Sequence, residues 1–123
     1  MSQRVHTIKR SQKESLFLRE ISNLYLQLTQ DHPQLIDLFI NRVQLSDDKS
    51  KVHIFFYSVN GLKRFEELRP TLVLYKPSMR KALAQAINAR YTPDLVFRYD
   101  AQFEKQSAIE QALDKAKAED ESL

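Results

Sequence analysis

Between Met79 and Asp100 the chain reads MRKALAQAINARYTPDLVFRYD, and the hydrophobic period changes within it. Met79, Leu83, Ala86 and Ile87 recur at helical spacing; Pro93 then interrupts the pattern and hands over to Leu95-Val96-Phe97, a β-type run closed by Asp100. A basic helix therefore runs directly into a strand. Lys81, Gln85 and Asn88 fall on the face opposite the apolar stripe, Arg80 sits at its border, and Arg90 follows the helix end. Ala82, Ala84 and Ala89 add little bulk, which leaves room for another backbone or a phosphate chain to approach closely.

The rest of the chain supplies partners for that unit. Phe17, Ile21, Leu24 and Leu28, with Tyr25 alongside, form an amphipathic stripe from Glu14 to Thr29, and Asp31-His32-Pro33 ends it. Residues 38–45 put Phe39, Val43 and Leu45 on one face of an extended run, and residues 51–58 do the same with Val52, Ile54 and Phe56. Between them Ser46-Asp47-Asp48-Lys49-Ser50 has turn chemistry, so an antiparallel hairpin is expected. After Asn60-Gly61, Leu62 to Tyr75 reads as a helix weakened by Pro70, its early turn a separate short piece, and Pro77 separates it from the basic helix. Ile109, Ala112, Leu113 and Ala116 make a last, short helical stripe. The expected order is α-β-β-α-α-β-α, an α+β fold. Residues 1–13 read as a flexible basic arm, 14–116 as the folded domain and 117–123 as an acidic disordered tail.

Charge is distributed unevenly. Six acids and three lysines lie from Glu104 onward, so this end carries −3 and residues 1–103 carry +6 of the net +3. A cationic body suits a polyanionic partner. With no cysteine, neither a disulfide nor a thiolate metal site is available, which fits a reducing, cytoplasmic setting. No segment reads as a membrane span or secretory leader.

Catalytic signatures are missing. Gly61 is the single glycine, which excludes a dinucleotide fingerprint, a Walker-type loop and the Gly-x-x-Gly loop of ordinary KH domains. His6, His32 and His53 have no ligand spacing, Asp47 and Asp48 diverge in a turn, and no nucleophile is accompanied by a base. The chain reads as a non-enzyme without cofactor, metal or small-molecule substrate. Phe55, Tyr57 and Tyr99 have the chemistry to stack on bases, but aromatic residues at strand spacing read first as packing.

Arg80, Leu83, Ala84, Ile87, Arg90, Pro93-Asp94-Leu95, Phe97 and Asp100 resemble the C-terminal half of ribosome-binding factor A. Val43, Leu45, Ser46, Asp48 and Val52 stand in the register of that family's hairpin, and His32-Pro33-Gln34-Leu35 resembles its Asp-Pro-Arg-Leu segment. Where the family has Ala-x-Gly between its central helices, this chain has Tyr75-Lys76-Pro77, so the proline is expected to make the bend. The resemblance implies a type II KH-like domain with helices on one face of a three-stranded sheet. It implies a non-catalytic, monomeric assembly factor that binds the small (30S) ribosomal subunit, assists late 16S rRNA maturation and supports growth in the cold. The expected RNA contacts are Lys76, Arg80, Lys81 and Arg90, with Arg4, Lys9 and Arg10 as a second group. A general KH-like domain acting on another RNA, or a module for an acidic protein, shares the same charge pattern.

Removing residues 118–123 takes away Glu119, Asp120 and Glu121 and leaves the body more cationic. The truncated chain is expected to bind unrelated RNA more tightly at low salt, as measured by filter retention.

Overall fold

A computed structural model describes the backbone of residues 2–87 and 92–121 and the side chains of residues 10–87 and 92–117. Helix α1 (Ser2–Asp31) leads through a 3-10 turn (Pro33–Asp37) into strands β1 (Phe39–Leu45) and β2 (Lys51–Tyr57). Helices α2 (Gly61–Leu74) and α3 (Lys76–Ile87), strand β3 (Asp94–Tyr99) and helix α4 (Ala101–Glu121) follow. The element order is the one expected. Both terminal helices are longer than their apolar stripes, α1 covering the expected arm and α4 running well beyond Ala116. No glycine or proline interrupts either run, and beyond Ala116 lysine, alanine and glutamate propagate α4 at little cost.

Phe17, Ile21, Tyr25 and Leu28 are buried from α1, whereas Leu24 is only half-buried. The Tyr25 hydroxyl lies 2.5 Å from the Leu35 carbonyl and 3.0 Å from that of Leu38, so it satisfies the turn that follows the helix. Burial, with the Asp37 charge as a lesser cause, pushes its pKa upward.

The hairpin turn is built by one carboxylate. Asp48 Oδ1 accepts from Ser50 Oγ at 2.7 Å, Ser50 N at 3.0 Å and Ser46 Oγ at 2.8 Å, and Lys49 takes a left-handed φ of 61°. The Ser50 hydroxyl and amide, then Ser46, lower the Asp48 pKa to about 2.

The sheet order is β1-β2-β3, with β1 antiparallel and β3 parallel to β2. Parallel neighbours need a crossover, which α2 and α3 provide. Val43, Leu45, Val52, Ile54, Phe56, Leu95 and Phe97 are buried on the face that α1, α2 and α3 cover. The expected alternation of Phe39 with Val43 fails. Register shifts between Ile40 and Arg42, leaving Asn41 as a bulge, so Ile40 packs on the core and Phe39 turns outward onto Tyr57, ring centroids 5.1 Å apart.

Helix α2 is one piece and passes through Pro70. An interior proline costs about 3 kcal/mol; Phe65, Leu68 and Leu72, buried on both sides of it, each return about 1.5–3 kcal/mol. Tyr75 closes α2 and opens α3: its amide reaches the Leu72 carbonyl at 3.1 Å and its own carbonyl accepts from Met79 N at 2.9 Å. Pro77 is then the second residue of α3, where a missing N–H leaves no bond unmade.

The proline is therefore well placed at this junction, yet the packing also holds it. One continuous helix would withdraw Met79 and Leu83, both buried, at roughly 2–5 kcal/mol apiece, against about 1 kcal/mol for one recovered hydrogen bond. Pro77→Ala is expected to keep two separate helices and a melting temperature within a few degrees, checked by crystallography and calorimetry. A single helix in the variant would show that the proline alone sets the break.

Candidate nucleic-acid interface

Helix α3 divides cleanly. Met79 and Leu83 enter the core, Arg80 and Lys81 are exposed, and Lys76 stands one turn before Arg80 on the same side. Two of these cations are anchored. Lys76 Nζ lies 3.4 Å from Asp94 Oδ1, and Arg80 Nη2 donates to the Thr92 carbonyl at 3.0 Å. Both ties run to the segment entering β3, whose Asp94 amide donates in turn to Ser50 O in the hairpin turn at 2.9 Å.

Arg10 reaches the same end of the sheet from α1, with Nη2 3.0 Å from Asp47 Oδ1 in that turn. The fold therefore brings Arg10, Lys76 and Arg80 to the sheet end formed by the β1–β2 turn and the start of β3, although they are far apart in sequence. Lys81 is exposed on the same helix as Lys76 and Arg80. The side chains of Arg4, Lys9 and Arg90 lie outside the described residues.

Asp100 is held from β1 and from the start of α4. It is 2% exposed, and its Oδ2 accepts from Asn41 Nδ2 and Arg42 Nε, each at 2.9 Å. Its Oδ1 accepts from Phe103 N at 3.1 Å, capping α4, and its amide donates to Phe56 O at 2.8 Å. Burial drives its pKa up, but the Arg42, Asn41 and Phe103 donors outweigh that and hold it below the ordinary carboxylate value. The bulge makes this possible by aiming two consecutive side chains, Asn41 and Arg42, at one carboxylate.

The arrangement also positions a surface that periodicity alone did not indicate. The Arg42 guanidinium lies 4.0 Å from the Phe55 ring centroid on the sheet's outer face, and Arg98 Nε donates to His53 Nδ1 at 2.9 Å beside it. The signal was the adjacent pair Ile40-Asn41 breaking a strand's alternation, which marks a bulge. Among the described residues no group of three or more acidic or histidine side chains is placed to hold a metal ion. No described helix is long and apolar enough to cross a membrane.

The family model described as "Ribosome-binding factor A" matches residues 9–113. The chain belongs to the ribosome-binding factor A family. A ribosome-binding factor A of Alcanivorax borkumensis is 34% identical over 106 residues, which cover 85% of this chain and 77% of that protein. One from Halothermothrix orenii is 29% identical over 107 residues, covering 87% of each chain. The crystal structure of ribosome-binding factor A from Thermus thermophilus superposes with a TM-score of 0.58 at 21% identity, covering 72% of this chain and 92% of that one. The solution structure of a Thermotoga maritima protein described as a putative ribosome binding factor A gives 0.61 at 19% identity, covering 72% and 84%. The family fold, an α+β domain consistent with the KH-like type, is thus shared at low identity.

Asp100 links pH to stability. Its folded pKa lies below the unfolded value of about 3.9, so its contribution is present above that pH and disappears as pH falls through the folded value. Asp100→Asn keeps a capping side chain but loses the charge on Arg42. It is expected to melt several degrees below the natural chain at neutral pH, with the gap closing below about pH 4, as followed by circular dichroism.

Proposed function

We propose that this chain is a ribosome assembly factor that binds the small (30S) subunit and assists late 16S rRNA maturation and processing. It acts without catalysis or cofactor, as a monomer in the cytoplasm, and supports growth in the cold. Membership of the ribosome-binding factor A family supports the ribosome as partner. The observation that carries the RNA reading is the split of α3, whose apolar side anchors in the core while Arg80 and Lys81 face solvent beside Lys76.

Lys76, Arg80 and Lys81 are the main contact in this reading, continued by Arg90, with Arg10, Lys9 and Arg4 as the second group. Anchoring Lys76 to Asp94 and Arg80 to a carbonyl holds their side chains in place before RNA arrives. A guanidinium that spends one donor on a carbonyl keeps four others for phosphate. Lys81 has no ion pair among the described residues and supplies a mobile charge.

For every phosphate that a variant no longer neutralises, the slope of log affinity against log salt falls by about 0.7–0.9. Lys81→Gln is expected to reduce that slope by the equivalent of about one phosphate and weaken co-sedimentation with 30S subunits, with an unchanged melting temperature. The triple change Lys76→Gln, Arg80→Gln and Lys81→Gln is expected to abolish co-sedimentation. An unchanged salt slope in the triple variant would remove α3 as the RNA surface.

A further inference from the structure

We propose that the outer face of the sheet is a second RNA contact, a stacking platform for unpaired bases centred on Arg42 and Phe55. The proposal rests on the reading that RNA is the partner. It concerns the part of the outer face around Phe55: α1, α2 and α3 pack on the opposite side, and α4 meets the outer face further along β2, where Phe103 packs on Tyr57 at 4.8 Å.

The geometry is that of a prepared stacking surface. The Arg42 guanidinium lies over Phe55 at 4.0 Å, and Nε and Nη2 are held by Asp100 at 2.9 and 3.4 Å. Its plane is fixed before any ligand binds, and its side chain is still 43% exposed. Unpaired bases stack on aromatic rings and on guanidinium planes. A bulge that aims a side chain is a recurrent device next to binding sites, and here it aims Arg42.

Beside this pair lies a cleft of about 340 Å³ lined in part by Gln44, His53, Phe55 and Arg98. This is near the lower end of the small-ligand range of roughly 300–1,000 Å³. Because His53 Nδ1 accepts from Arg98, the neutral ring carries its proton on Nε2 and offers one donor; the Gln44 amide offers both a donor and an acceptor. Burial, then the Arg98 and Lys51 charges, lowers the His53 pKa and favours that neutral ring.

Charge favours a polyanion over other occupants. Lys51 and Arg98 stand on this face beside Arg42, whose charge Asp100 balances, while the nearby acids Asp47 and Asp94 are paired with Arg10 and Lys76. Asp47 also lines the cleft, so the platform adjoins the sheet end where the α3 cations gather. A single strand crossing that end would meet phosphate contacts on one side and stacking on the other.

The test uses the full chain, a short unstructured RNA carrying one 2-aminopurine, and a duplex of equal length. Binding of the single strand is expected to quench 2-aminopurine. Phe55→Leu, which keeps an apolar side chain but removes the ring, is expected to abolish the quench and weaken single-strand binding roughly tenfold, with duplex affinity and salt slope unchanged. Arg98→Gln, at an exposed position, is expected to lower the single-strand salt slope by about 0.7. If the natural chain binds RNA but both variants match it, the platform is wrong and the α3 reading stands. If the natural chain binds neither RNA, both readings fall. Displacement of the single strand by a polyglutamate peptide as readily as by unlabelled RNA would mark a plain cationic patch and overturn the platform.

Discussion

The Asp100 carboxylate is the point at which the structure is tied together. It sits at the end of β3, receives the bulged β1 through Asn41 and Arg42, bonds β2 through its amide and caps α4 through Phe103. A buried carboxylate is costly unless several donors meet it, and here donors from two other elements do so. Removing it would strand a guanidinium, an amide and a helix end together, so the position tolerates little. The register of β1 follows from the same site, because the bulge that feeds Asp100 also decides that Ile40 enters the core and Phe39 leaves it.

Anchoring recurs in the cationic surface. Lys76 and Arg80 are tied to the lead into β3, and Arg10 to the hairpin turn, so cations from two helices, α1 and α3, meet at one end of the sheet. Such ties are worth little as stability, since half-exposed ion pairs contribute about 0–1 kcal/mol. Their consequence is positional. A side chain already held in one arrangement loses less entropy when it meets a ligand, and a helix buried through Met79 and Leu83 gives those charges a rigid base.

The helix-to-strand unit from Met79 to Asp100 was legible because both of its periods are strong and Pro93 separates them. The hairpin was legible through Asp48 and its serines, which bond their own turn as short polar side chains do. Less was visible at Pro70, where local chemistry argued for a break and buried residues on both sides overrode it. The extent of α4 was hidden for the opposite reason: an apolar stripe marks only the turns that pack, while this helix runs on through lysine, alanine and glutamate, which propagate a helix at little cost.

The sequence by itself determined the element order, the cationic body with its acidic end, the family, and the identities of the α3 cations. Each of these is a local or additive property, read from period, charge or motif. Only the tertiary structure decided which charges meet, that Asp100 belongs to Arg42, and that Phe55 lies beneath a guanidinium on an open face. Those facts depend on the register between β1 and β2 and on which strand lies beside β3. A one-residue bulge resets the first, since side chains alternate along a strand and a single insertion exchanges its faces.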